Sequence, residues 1–519
     1  MKDELKKRDV RSLDLGKEGP GTQRPAKHYL TTPIYYASGS PHLGHAYTTL
    51  VADCYKRYHL LRGDEVLLTT GTDEHGQKIE RTAEKNNETI LAFIDGRSAE
   101  FAECWKGLNI DVDLFARASD ETHKELVVEF WKRLNNNGDI YKSRYEGLYC
   151  VDCEQYFTDG DECPVHRKAL EHFSEESYFF RLGKYQNALI DHIEGSAGFI
   201  VPESRRNEVL SFLKKNELHD LSISRTSTRW GIKVPGDDEH VIYVWLDALA
   251  TYLSALGSLD SDQLAAFWPN STHFIGKDIL FFHAIYWPAF LWSAGLALPK
   301  KLVVNGWLTV EGRKFSKSDP ETIIDPQLLA NTIGSDGLKY YFLKTVTLGQ
   351  DLDFNQSHLL ELLNADLANN LGNLFSRFFK LFLKHFPEGV EFDKEARSAG
   401  SKELRSAVGS KIQVFVANIE DYQLSQASRT FIEISALINA NIQQTEPWKI
   451  TSRSELGAYL WNVHHCLAGL SLIGLCFVPE LAVKARVGLC LEHKPGWVEL
   501  HEARERVSVQ AIENLFPRL

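Results

Sequence analysis

An α/β architecture follows from three observations. Apolar runs of strand length alternate with glycine-containing loops and helical periodicity near the start of the chain. The same alternation returns after an irregular stretch that holds three clustered cysteines. Beyond Leu359 only helical periodicity remains. The expected molecule is a parallel sheet with crossover helices, split by an inserted domain and closed by a helical bundle.

Taken in order, Ala26 to Ile34 reads as a buried strand, followed by the small-residue loop Ala37-Ser38-Gly39-Ser40. A helix is expected next, with Ser40 as N-cap, Pro41 at the first position, and apolar residues at Leu43, Tyr47, Leu50, Val51 and Cys54. Glu65 to Thr70 forms a second short apolar run, ending in Gly71-Thr72-Asp73-Glu74-His75-Gly76. From about Gly138 to Ser227 the pattern breaks. It resumes at Val241-Ile242-Tyr243-Val244-Trp245, His273-Phe274-Ile275-Gly276-Lys277-Asp278 and Leu302-Val303-Val304-Asn305-Gly306. Helical spacing then dominates, as at Leu359, Leu362, Leu363, Leu367, Leu371, Leu374, Phe375 and Phe378. The expected divisions are a flexible leader over 1–27, the sheet domain over 28–137 and 231–318, the insert over 138–230, a linker region over 319–358 and the helical domain over 359–519.

The 519 residues exceed one ordinary domain, and 43% hydrophobic content is enough for sizeable cores. No run of about 18 apolar residues appears, so no membrane-spanning helix is expected. The formal charge of −12 argues against indiscriminate coating of nucleic acid and is compatible with a local basic face. Met1 to Lys27 is charged and Gly/Pro-containing, without the apolar stretch of a signal peptide, and its acidic residues argue against a transit peptide. A cytoplasmic protein is expected. Cys54, Cys104, Cys466, Cys476 and Cys490 lie among apolar residues and read as small core thiols.

Chemistry concentrates in two short elements. His42 and His45 lie three apart in the first turn of the expected helix, where unpaired backbone N–H groups and the helix dipole favour anions. Gly44 lets a nucleotide approach the backbone. Lys314 and Lys317 sit in the small, polar stretch Gly312-Arg313-Lys314-Phe315-Ser316-Lys317-Ser318-Asp319-Pro320. Flexible ammonium groups suit charge neutralisation on a leaving pyrophosphate. In the insert, Cys150-x2-Cys153-x9-Cys163-x2-His166 matches a tetrahedral zinc site of three thiolates and one imidazole. All four positions are filled by protein, so this Zn2+ is expected to be structural.

His-Leu-Gly-His at 42–45 and Lys-Phe-Ser-Lys-Ser at 314–318 resemble the two hallmark motifs of class I aminoacyl-tRNA synthetases. Thr31-Thr32-Pro33-Ile34-Tyr35-Tyr36, Thr70 to Gly76, Val244-Trp245-Leu246-Asp247-Ala248-Leu249 and Phe274 to Asp278 are similar to the methionyl family, of the bacterial type with a single zinc knuckle. Phe315 stands where that family usually has Met, and Ala250-Thr251 where Thr-Asn is more usual. The resemblance implies a Rossmann-like catalytic domain, an all-α anticodon-binding bundle, and ATP-dependent ligation of L-methionine to elongator and initiator tRNA(Met), with Mg2+ accompanying ATP. It implies an ATP site of His42, Gly44, His45, Gly276, Asp278, Lys314, Ser316, Lys317 and Ser318. Ile34, Tyr36, Trp245, Ala248, Tyr252, His283 and Trp287 would line the methionine pocket, with Asp73 receiving the ammonium. Asn373, Arg377 and Trp448 would read the anticodon. A monomer is expected.

Two other readings share the hallmark motifs: a synthetase for another amino acid, and a catalytically inactive tRNA-binding paralogue. The irregular insert leaves no room for the large editing domain of the leucine, isoleucine and valine enzymes, and the intact histidines and lysines argue against an inactive copy. Removing the Lys317 ammonium is expected to slow adenylate formation while leaving methionine affinity nearly intact. Single-turnover adenylate formation and equilibrium methionine binding check this, and equal loss of both contradicts the role.

Overall fold

The computed structural model describes residues 25–150, 155–157, 160–163, 167–310, 312–314, 324–391, 402–491, 495–497, 504–512 and 515–519. Its centre is a six-stranded, all-parallel sheet in the order Leu114–Arg117, Glu65–Asp73, Lys27–Tyr36, Ser271–Gly276, Lys301–Asn305, Ile200–Val201. The inner strands are buried almost continuously, as sheets covered on both faces require. The first strand pairs with Glu65–Asp73 on one side and Ser271–Gly276 on the other. The strand order therefore reverses at that strand, and a crevice opens at its carboxyl end.

Three expectations are corrected. Val241 to Trp245 is not a strand of this sheet. Asp237–Ile242 pairs antiparallel with Ser224–Arg225 and Lys233–Val234, and Tyr243 caps a helix over Val244–Ser254. A short apolar run carries too little periodicity to separate strand from helix. The span 138–230 contributes Ile200–Val201 to the edge of the main sheet, so it is not wholly a separate insertion. Its distinct part is a four-stranded antiparallel sheet built on the long pairing of Ile140–Cys150 with Glu171–Phe180. Past Leu359 one short strand pair survives among the described residues, Val390–Glu391 with Arg506–Val507.

The first helix, Leu43–Leu61, runs buried through the molecule. Leu50, Leu308, Phe342, Leu363, Phe378, Phe431 and Leu470 belong to one continuous apolar cluster that joins the sheet domain to the helices Asn373–His385, Lys402–Glu420, Leu424–Thr445, Arg453–Gly474 and Pro479–Gly488. Two further helices, Pro326–Ile333 and Ser335–Thr345, connect them. Cys54, Cys104, Cys466 and Cys476 are buried free thiols, and Cys490 is half-buried.

A buried charge cluster fastens the first helix. Asp53 accepts from Lys339 Nζ, from Arg57 Nε at 2.8 Å and from the Asp111 amide at 3.1 Å. Burial pushes the Asp53 carboxyl up, but the Lys339 and Arg57 charges outweigh it and bring the pKa to about 2. Asp53→Ala would leave Lys339, 1% exposed, without its carboxylate. Breaking such a pair costs about 3–5 kcal/mol, and equilibrium urea unfolding of the variant is expected to show that loss.

Candidate active site at the sheet switch point

The helix tip lies at the carboxyl end of the first strand. His42, not the expected Ser40, is its N-cap. The His42 Nδ1 accepts from the Gly44 amide at 3.2 Å, and the His45 Nδ1 accepts from the His42 amide at 3.2 Å. Each imidazole thus completes half of a capping box, a role that Ser, Thr and acidic or amide side chains usually fill. Ser40 instead accepts from Arg97 Nη1 at 2.8 Å. Because both Nδ1 atoms accept, the proton of each neutral ring sits on Nε2. The rings stack at 3.6 Å and 21°, so two N–H donors stand side by side at the positive end of a helix. A Cβ on Gly44 would meet the His42 ring at 3.1 Å, which accounts for glycine between the histidines.

Of the second element, only the start is described. Arg313–Lys314 pairs with Leu308–Val310, which follows the sheet strand Lys301–Asn305. Ser316, Lys317 and Ser318 lie outside the described residues. The chain reappears at Ile324, whose carbonyl accepts from the Leu43 amide at 3.2 Å. Lys314 thus lies on a hairpin that follows a sheet strand, and Ile324 is bonded to the first turn of the histidine helix. Gly276 closes its strand on the same edge, and a Cβ there would collide with Asp278 Oδ1. Asp278 is exposed, whereas its neighbour Lys277 is occupied by Asp351 at 2.6 Å and lies over the Trp307 ring at 4.0 Å.

Neighbouring elements carry an aromatic cluster. Asp73, 3% exposed, ends the strand Glu65–Asp73, and Ile34 and Tyr36 are half-buried at the end of the adjacent strand. Trp245, Ala248 and Tyr252 fall on one face of the helix Val244–Ser254. Opposite it, Phe282–Tyr286 is wound as a π-helix, a form that concentrates at functional sites. Its His283 donates from Nδ1 to the Ile279 carbonyl at 2.9 Å, which leaves Nε2 to accept from the Tyr252 hydroxyl at 2.8 Å. Burial lowers His283 from 6.5 to about 4, so the ring is neutral at physiological pH. Trp287 is fully buried beneath Tyr252, packed on Trp268 and Phe130, and supports the wall from behind.

Two residues of this region carried no sequence signal. Phe282 stacks flat on Trp245 at 3.6 Å and 6°. His273 is buried, bonded to Thr31 Oγ1 at 2.6 Å and stacked on Tyr252 at 4.4 Å. Contacts across such separations leave no local pattern.

The remaining candidates lie elsewhere. Cys150 and Cys163 are buried, while Cys153 and His166 lie outside the described residues. Around Cys163 the backbone curls tightly: its amide donates to the Lys168 carbonyl and its carbonyl accepts from the Arg167 amide, both at 2.8 Å. Two buried cysteines, one of them in such a turn, fit a zinc knuckle. His28, His59 and Asp64 form the one metal-like cluster found among the described residues. Asn270 Nδ2 donates to both the Lys27 carbonyl and His28 Nδ1, so the His28 proton lies on Nε2 facing Asp64 at 3.4 Å. That cluster reads as hydrogen-bonded. Asn373 and Arg377 are exposed along one side of a cleft of about 640 Å³ with Asn370, Asn439 and Gln443. Trp448, 47% exposed, stands in the turn after Leu424–Thr445 and is not part of that cleft's lining.

A profile described as "tRNA synthetases class I (M)" matches residues 28–172 and 161–379. The methionine–tRNA ligase of Clostridium perfringens is 40% identical over 95% of this chain and 78% of its own length. That of Helicobacter pylori strain 26695 is 42% identical over the same shares. The chain belongs to the methionyl-tRNA synthetases.

A solved Mycobacterium tuberculosis methionyl-tRNA synthetase, in complex with methionyl-adenylate, superposes with a TM-score of 0.89 at 33% identity, covering 95% of this chain and 100% of that one. The fold is thus that of a methionyl-tRNA synthetase over nearly its whole length, bundle included. Within this synthetase the buried pocket histidine has a measurable signature. Between pH 6.5 and about 4 the unfolded chain binds a proton at His283 that the folded chain refuses. Its contribution is fully present above 6.5 and is lost as pH falls toward 4. His283→Gln is expected to remove about one proton from the slope of unfolding free energy against pH in that window, read from urea unfolding at stepped pH.

Proposed function

We propose that this enzyme activates L-methionine with ATP, releasing pyrophosphate, and then transfers the methionyl group from the adenylate to the 3′ end of elongator and initiator tRNA(Met). The observation that supports this placement of the reaction is the Leu43–Ile324 backbone bond at the helix that begins with His42 and His45, with Arg313–Lys314 on a hairpin that follows the strand Lys301–Asn305. The nucleophile is an already ionised carboxylate, so no general base is required. Catalysis then rests on alignment and on stabilising charge as it develops on phosphate.

The paired Nε2–H donors of His42 and His45 serve the α-phosphate side, where Gly44 leaves the backbone accessible. Lys314 and Lys317 neutralise the β- and γ-phosphates, with Ser316 and Ser318 beside them and Mg2+ accompanying ATP. Gly276 and Asp278 receive the ribose at the end of the neighbouring strand. Asp73 takes the methionine ammonium, and Ile34, Tyr36, Trp245, Ala248, Tyr252 and His283 enclose its side chain, with Trp287 behind them. Polarizable aromatic walls and a hydroxyl held by His283 suit a thioether. Such a pocket separates substrates differing by one methylene by only ~1–3 kcal/mol, so homocysteine is the hardest competitor.

Cys150, Cys153, Cys163 and His166 would hold one structural Zn2+, which fastens the antiparallel sheet of the insert. Asn373 and Arg377 read anticodon bases by amide and guanidinium hydrogen bonds, and the exposed Trp448 stacks on a splayed base. A monomer acting in the cytoplasm completes the reading.

ATP–pyrophosphate exchange with methionine, leucine, isoleucine and valine tests it: methionine alone should support fast exchange. Trp448→Ala should cost roughly 1–3 kcal/mol of tRNA binding and slow charging, while exchange stays near normal. A matching fall in exchange would remove Trp448 from the tRNA interface.

A further inference from the structure

Asp73 stands in a segment clamped from both sides. On one side Glu74, fully buried, accepts from Thr72 Oγ1 and Arg117 Nε, both at 2.8 Å, and from Ser119 Oγ. On the other side His75 donates from Nδ1 to Asp247 Oδ2 at 2.7 Å. Trp230 closes the segment, its indole donating to the Glu74 carbonyl at 2.5 Å and its carbonyl accepting from the Gly76 amide at 3.2 Å.

Asp247 is 1% exposed and carries a second bond, from His123 Nε2 at 2.6 Å. The other nitrogen of His123 pairs with Ser254 Oγ at 2.7 Å. Asp247 and Ser254 belong to the first turn and the last residue of one helix, Val244–Ser254, so His123 grips that helix at both ends. Burial pushes the Asp247 carboxyl up, but the His75 charge and the hydrogen bonds of both histidines bring it to about 2. The group is an ionised acceptor at working pH, and its two partners must be donors. A buried ionic network of this kind rarely stabilises more than apolar packing would. Its distinctive property is that it specifies one geometry.

That geometry joins the two halves of the amino-acid subsite. His75 is two residues beyond Asp73, while Trp245 and Ala248 flank Asp247 and Tyr252 lies further along the same helix face. We propose that Asp247 is a positioning residue for methionine: through His75 it fixes where Asp73 stands relative to the Trp245–Ala248–Tyr252 face, so that ammonium and thioether are held at one spacing. The proposal rests on the assignment of Asp73 and that face to methionine given above.

In Asp247→Asn one oxygen still accepts, but the amide NH2 faces a donor nitrogen, so one tie is lost. The methionine KM is expected to rise roughly tenfold, with the ATP KM within about twofold of wild type in the same exchange assay. His75→Leu should reproduce that split. His75→Asn, whose amide nitrogen can donate from the Nδ1 position, should keep the methionine KM within about threefold of wild type. Should Asp247→Asn fail to fold, the Leu and Asn pair at His75 carries the test. Equal rises in both KM values, an unchanged methionine KM with only a lower melting temperature, or no rescue by His75→Asn would overturn the proposal. Wild-type exchange with methionine is measured alongside: its absence would sink the functional assignment, whereas its presence with no split in the variants sinks this inference alone.

Discussion

The backbone bond from Leu43 to Ile324 ties the start of the first helix to the chain that follows the Lys314 hairpin. A helix N-terminus has amide protons that the helix itself cannot use. Here some are met by the histidine capping box and one by a carbonyl arriving from the far end of the Lys314 stretch. The sheet supplies the setting. Its strand order reverses at Lys27–Tyr36, so the helix that follows starts in the crevice where ligands of parallel sheets are bound. Positive dipole and paired imidazole donors thus stand together at the start of that helix.

Such an arrangement works only if the helix does not move. Leu43–Leu61 is buried along most of its length, and polar positions such as Asp53 and Lys56 are buried with it. Asp53 is tied to Lys339 of Ser335–Thr345, and Lys56 to Asp111 and Asp113 at 2.8 Å. Ser335–Thr345 is in turn docked on the helical bundle, where Asp336 accepts from the Glu480 and Leu481 amides at the start of Pro479–Gly488. Charged bonds at the base of the helix and an open polar tip divide rigidity from chemistry. Fixed partners recur beyond the strand Glu65–Asp73, where Glu74 is committed to Arg117 and His75 to Asp247.

Much of the fold was legible because its signals are local. Strand length, helical spacing and the shift to purely helical periodicity near Leu359 each depend on residues within a few positions of one another. The short runs misled. Val241 to Trp245 is apolar throughout, and only its neighbours in space decide that it ends an antiparallel strand and starts a helix. Ile200–Val201 is too brief for any periodicity, and its place at the sheet edge comes from pairing with Lys301–Asn305. Ser40 looked the better cap by residue type, but His42 and His45 satisfy the helix amides from within the motif itself.

By itself the sequence determined the chemical inventory: two histidines at a helix start, two lysines in a polar stretch, three cysteines and a histidine at metal-ligand spacing, and an aromatic set suited to a thioether. Tertiary structure alone decided which of these meet. The bond between residues 43 and 324, the bridge of Asp247 to His75 and His123, and the placing of Trp287 behind the pocket wall link residues far apart in the chain. Short-range periodicity is written in adjacent residues, whereas a contact across such distances exists only once the sheet has set its strand order and closed the loops between.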